Sequence, residues 1–166
     1  MKTLYIMRHT HKEASTPNQD DFDIQLSEDG IEEAKKIAEN LHSLNVKPDL
    51  IVASPAYRTK KTAEIIAQGL GYDKNIMYNE VLFQAYVNEL IETITYTFDT
   101  IDEIFLIGHN PSLTALTITL NVYREEIKPG EVLKVEFNTN SWINISRENA
   151  KLAWIEKPIY NNFLKI

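Results

Sequence analysis

The chain has 166 residues, 43% of them hydrophobic and 25% charged, which fits one ordinary globular domain with a substantial core. It contains no Cys, so disulfides, thiolate nucleophiles and Cys-based zinc sites are excluded, and the lack of a disulfide framework suits a cytoplasmic protein. Lys and Arg number 17 against 24 Asp and Glu, a formal charge of −7 with no basic stripe, which argues against nucleic acid and anionic membranes as partners.

The opening apolar run, Leu4-Tyr5-Ile6-Met7, is far too short for a signal peptide or a membrane span. It predicts a first strand over residues 3–7, nearly continuous in apolar character, as parallel strands buried on both faces are. A helix is predicted over 28–44. Ser27 is its N-cap, Glu28 and Asp29 put acid in its first turn, and Ile31, Ala34, Ile37, Ala38, Leu41 and Leu44 share one face. A second strand over 49–53 runs into Ser54 as cap and Pro55 as the first position of a second helix, which extends towards Leu70 before Gly71. A short strand at 76–78, a helix around 89–98 and a buried strand at 104–107 follow. Asn110 and Pro111 then open a fourth helix to about Leu120. The remaining third predicts three short strands, 132–137, 142–145 and 151–155. Alternating strands and helices predict an α/β fold. It is a three-layer sandwich with a mostly parallel central sheet flanked by helices and an antiparallel edge from the C-terminal strands.

In such sheets ligands bind outside the carboxyl ends of the strands. The first strand ends in Arg8-His9-Thr10, the second in Ser54-Pro55-Ala56-Tyr57-Arg58, and the strand near residue 106 in Gly108-His109-Asn110-Pro111. Two of the four His and two of the four Arg therefore converge on one edge of the sheet. Guanidinium forks fit phosphate oxygens and stay charged at any working pH, so the ligand expected is a tetrahedral phosphoryl dianion. Neutral imidazole is a good nucleophile for phosphorus, and two nearby guanidinium charges disfavour its protonation.

Four segments occur in one order: Leu4-Tyr5-Ile6-Met7-Arg8-His9, Leu26-Ser27-Glu28-Asp29-Gly30, Ser54-Pro55-Ala56-Tyr57-Arg58-Thr59 with Thr62-Ala63, and Leu106-Ile107-Gly108-His109-Asn110-Pro111. In these the chain resembles the histidine phosphatase superfamily with its phosphoglycerate-mutase-like fold, and within it the short SixA-type phosphohistidine phosphatases. The resemblance implies one histidine-phosphatase-like domain over 1–166 and catalysis through a phosphohistidine on His9. Arg8, Arg58 and His109 hold the phosphoryl oxygens, and neither a metal nor another cofactor takes part. Glu80 matches the place of the family's proton donor. Thr10 stands where the family usually has Gly, and with Asn110 is expected at the substrate. The substrate implied is a protein-borne phosphohistidine. The alternatives are a small phosphorylated metabolite, a mutase, or a phosphate-binding module without turnover. The segments 10–26 and 72–88, short where larger members carry a cap, predict a shallow, open pocket.

Overall fold

The structure, a computed structural model, describes residues 1–158. Six strands form one sheet: β1 (Lys2–Arg8), β2 (Leu50–Ala53), β3 (Met77–Tyr78), β4 (Glu103–Gly108), β5 (Val132–Phe137) and β6 (Ala150–Glu156). Their order is β3-β2-β4-β1-β5-β6. The first four run parallel to one another, and β5 and β6 add the expected antiparallel edge.

Period-two alternation within a continuous apolar run gives each central strand two buried faces. Tyr5 and Met7 of β1, with Phe105 and Ile107 of β4, pack under α1 (Glu28–Ser43) and α2 (Tyr57–Leu70), meeting Ile37, Leu41 and Ile66. Leu4 and Ile6, with Ile104 and Leu106, face the other way. They meet Leu90 and Ile94 of α3 (Val87–Thr95) and Leu113 and Leu116 of α4 (Ser112–Thr119). Each such side chain contributes roughly 1.5–3 kcal/mol by leaving water.

This layering places the site. The chain leaves β1 for α1 on one face and leaves the neighbouring β4 for α4 on the other. The strand ends between those departures form the crevice that ligands use in doubly wound sheets. Residues 9 and 109 stand at its two lips.

The structure corrects several expectations: α3 covers Val87–Thr95 rather than 89–98, and α4 starts at Ser112 with Pro111, not Asn110, at its cap. Residues 142–145 make no strand: Trp142–Asn144 is a single 3-10 turn. The fully buried Trp142 is captured there, its main-chain N–H donating to Asp99 Oδ1 at 2.9 Å and its indole N–H to the Ile101 carbonyl at 2.7 Å. Helix α2 begins at Tyr57 with Ala56 at the cap, so neither Ser54 nor Pro55 belongs to its start. Leu44 lies beyond α1 and is exposed, while Ala34, Ile37, Ala38 and Leu41 are the buried stripe. The cap of α1 is as expected: Ser27 Oγ accepts the Gly30 N–H at 3.0 Å. Glu89 likewise serves as a first-turn acid, accepting the Tyr86 N–H at 2.9 Å.

Candidate active site

Main-chain bonds draw the three strand ends together. His9 N–H donates to the Gly108 carbonyl at 3.2 Å and Ser54 N–H to the Ile107 carbonyl at 3.2 Å. Gly130 N–H reaches the Arg8 and His9 carbonyls, both at 3.1 Å, and pins the turn from outside. The result brings the His9 and His109 rings to 5.4 Å between centroids.

His9 is 4% exposed, and its Nδ1 lies 2.7 Å from the Thr10 carbonyl. A carbonyl only accepts, so Nδ1 carries the proton and Nε2 keeps its lone pair. Arg58 Nε–H donates to that lone pair at 3.3 Å, which marks where an electrophile would be met. The His9 pKa is pushed down from 6.5 to about 3, chiefly by burial, then by His109, Arg58 and Arg8. Burial also leads the lowering of His109 to about 3, ahead of Arg58, Arg8 and Lys12. Both imidazoles are neutral at pH 7, and desolvation does more of this than the guanidinium charges on which the sequence reasoning relied.

Arg58 is nearly buried, and Asp21 holds its outer face: Nη1 donates to the Asp21 carbonyl at 2.6 Å and Nη2 to its carboxylate at 3.0 Å. Lys12 Nζ stands 3.8 Å from the same carboxylate. Arg8 Nη1 donates to the Ile127 carbonyl at 3.0 Å, with the Glu126 carboxylate 3.8 Å away. Asn110 Nδ2 donates to that same carbonyl at 2.7 Å, and its Oδ1 accepts from the Thr114 N–H and hydroxyl. Asn110 thus ties the loop behind Arg8 to the start of α4.

His109 Nε2 lies 2.8 Å from Ser54 Oγ, whereas its buried Nδ1 has no hydrogen-bond partner among the described residues. The same is true of Thr10 Oγ1, although Thr10 is fully buried. Its N–H donates to Thr62 Oγ1 at 3.4 Å, so a Thr is accommodated at this position without displacing the turn from α2.

Glu80 is exposed on the 3-10 turn Glu80–Leu82, directly after β3 and at the same edge of the sheet. It makes no hydrogen bond to His9, Arg58 or His109. Its segment reaches the site through Phe83, whose ring meets His109 edge-on at 5.7 Å and Phe22 at 5.2 Å. Phe22 and Phe83 thus bring the segments 10–26 and 72–88 into contact beside His109. His11 is turned onto Glu33 of α1, Nδ1 lying 2.8 Å from its carboxylate.

Two of these contacts lay outside the sequence reasoning. Asp21 shares its stretch with Asp20 and Asp23, and only the 3-10 turn Asp21–Asp23 selects which carboxylate meets Arg58. Ser54 looked like a helix cap because Pro follows it; the helix starts later, which leaves the hydroxyl to His109.

No helix among the described residues is long and apolar enough to cross a membrane. Among solved structures, a proposed SixA phosphohistidine phosphatase from Agrobacterium tumefaciens superposes with a TM-score of 0.78 at 22% identity, over 95% of this chain and 98% of that one. The protein histidine phosphatase SixA in complex with tungstate does so with 0.80 at 18% identity, over 94% and 97%. The fold is therefore the phosphoglycerate-mutase-like α/β sandwich. The 55 kDa subunit of transcription factor tau from Saccharomyces cerevisiae is 34% identical over 76 residues, a match covering 41% of this chain and only 18% of that protein. A profile of the histidine phosphatase superfamily (branch 1) matches residues 4–96. More than half of the sequence thus carries that signature, and the chain belongs to branch 1 of the histidine phosphatase superfamily, whose phosphatases work through a histidine nucleophile.

Proposed function

We propose that the protein is a phosphatase that removes the phosphoryl group from a phosphohistidine borne by another protein, using His9 as nucleophile. The observation that carries this reading is the His9 tautomer: Nδ1 is committed to the Thr10 carbonyl while the Nε2 lone pair meets Arg58. Nε2 attacks phosphorus, the bond from phosphorus to the substrate imidazole breaks, and that imidazole takes up a proton from water as it leaves. Water then attacks the phosphohistidine, releasing inorganic phosphate and restoring neutral His9.

Arg8 and Arg58 supply fixed charge to the equatorial oxygens, and His109 adds a neutral donor. With two guanidiniums in place the reaction needs no metal ion. Thr10, with its buried hydroxyl, completes the wall of the pocket. Asn110 serves the substrate indirectly, through the carbonyl it shares with Arg8. Glu80 is the proton donor for leaving groups that require one.

Two observations favour a phosphohistidine over a phosphate ester. The candidate acid is exposed and unattached to the site, and imidazole leaves with less acid assistance than an alkoxide. The segments 10–26 and 72–88 are short and meet through Phe22 and Phe83, which suits a phosphoimidazole presented on a protein surface, whose contacts around the rim can add affinity. The test is kcat/KM in EDTA for a phosphorylated histidine-phosphotransfer domain against a panel of sugar and nucleotide phosphates. The phosphoprotein is expected to lead. A metabolite ahead by about tenfold, which is about 1.4 kcal/mol of transition-state binding, would reassign the protein as a small-molecule phosphomonoesterase.

A further inference from the structure

We infer that Ser54 is a positioning residue that fixes His109 as the Nδ1–H tautomer and so makes its unbonded ring nitrogen a hydrogen-bond donor to the phosphoryl group. The inference rests on the proposed role of His109 and adds a residue whose sequence position suggested only a helix cap.

Ser54 is fully buried, so its hydroxyl hydrogen cannot turn to bulk water. Ser54 Oγ already accepts the Ala56 N–H at 3.3 Å, and among the described residues the one acceptor beside it is His109 Nε2 at 2.8 Å. If the hydroxyl donates to Nε2, the ring proton sits on Nδ1, and a single donor is left over. If Nε2–H donates to Ser54 instead, two groups are orphaned: the hydroxyl hydrogen and the Nδ1 lone pair. Each buried orphan costs about 1–3 kcal/mol, so the first arrangement is the stable one.

The leftover donor then has a use. Nδ1 is buried without a hydrogen-bond partner in a ring whose centroid is 5.4 Å from that of the nucleophile. A phosphoryl oxygen arriving at His9 Nε2 would satisfy it. The opposite tautomer would face the same oxygen with a lone pair, and the contact would repel. Burial keeps His109 neutral, so its tautomer, rather than its charge, decides between donor and acceptor. The His109 carbonyl is held at the same time by Leu113 N–H and Ser112 Oγ, both at 3.1 Å, which limits rotation of the whole residue.

Long-range 1H–15N spectra of 15N-histidine-labelled protein at neutral pH read the tautomer directly, with His109 assigned by its loss in His109→Asn. The expected pattern is a protonated Nδ1 and an unprotonated Nε2. Nε2–H in the wild type overturns the inference, whatever the enzyme turns over, and needs no variant to fold. Ser54→Ala is expected to mix the tautomers and lower kcat by about tenfold to a hundredfold, with smaller change in KM. Ser54→Thr, which keeps the hydroxyl, should recover both the spectrum and most of the rate. A Ser54→Ala protein with an unchanged His109 pattern also overturns the inference.

Discussion

Gly30→Ala is a substitution far from any reacting atom that should nevertheless disable the site. A Cβ at residue 30 would overlap the His11 carbonyl oxygen and lie 3.0 Å from the carbonyl carbon and 3.1 Å from the amide nitrogen. These are main-chain atoms, so no flexible side-chain tip can yield. The same carbonyl accepts the Ser27 N–H at 3.0 Å and the Ser27 hydroxyl at 3.2 Å, which locks the first turn of α1 to the strand end two residues past His9. Overpacking of this kind costs about 1–3 kcal/mol, and loss of the two hydrogen bonds adds about 1 kcal/mol each. Better helix propensity of Ala returns about 1 kcal/mol, leaving a net loss of roughly 2–4 kcal/mol. Relief requires the 9–11 segment to move by about 1 Å, a misplacement that costs on the order of 10²-fold in rate. Urea unfolding and kcat/KM on an aryl phosphate measure both effects. A variant as active as the parent, or more stable as propensity alone would make it, refutes the reasoning.

Lys2→Met should lower stability by about 2 kcal/mol with kcat unchanged. The fully buried ammonium serves the Asp99 and Ile101 carbonyls at 2.6 and 2.9 Å, at the opposite end of β1 from His9, so urea midpoints will move and turnover will not. Stability should also fall as pH drops from 6.5 towards 3. His9 and His109 stay neutral in the fold to about 3 while the unfolded chain takes up their protons near 6.5, so the unfolded state binds up to two more protons across that window. Urea midpoints compared between wild type and a His9→Asn/His109→Asn protein check this, and parallel pH profiles between 6.5 and 5 would contradict it. Glu80→Gln should slow alkyl phosphates by about 10²–10⁴-fold and leave an aryl phosphate nearly untouched; equal losses on both would make Glu80 structural.

The parallel core was legible because β1, β2 and β4 are continuous apolar runs, each feeding a capped or Pro-marked helix. The convergence of Arg8, His9, Arg58 and His109 followed from their places at strand ends, since strand direction alone puts those ends on one edge. What stayed hidden depends on contacts distant in sequence. Residues 142–145 carry a strand-like Trp and Ile, yet Asp99 and the Ile101 carbonyl, some forty positions earlier, bend them into a turn. Ser54-Pro55 has the composition of a helix start, but the hydroxyl is held next to His109, fifty-five residues on. The meeting of Phe22 with Phe83 beside His109 joins two segments far apart in sequence, which no local pattern shows. Asp21 could not be told from Asp20 and Asp23 before the turn that aims it was known.

The claim that His9 Nε2 accepts the phosphoryl group is tested most directly by trapping the intermediate. Protein mixed briefly with a labelled phosphodonor and quenched in alkali should carry one phosphoryl group on His9, stable in base, labile in acid and absent from His9→Ala, which should also show no turnover. Label on Ser54 or on a carboxylate, or turnover that survives His9→Ala, would contradict the account.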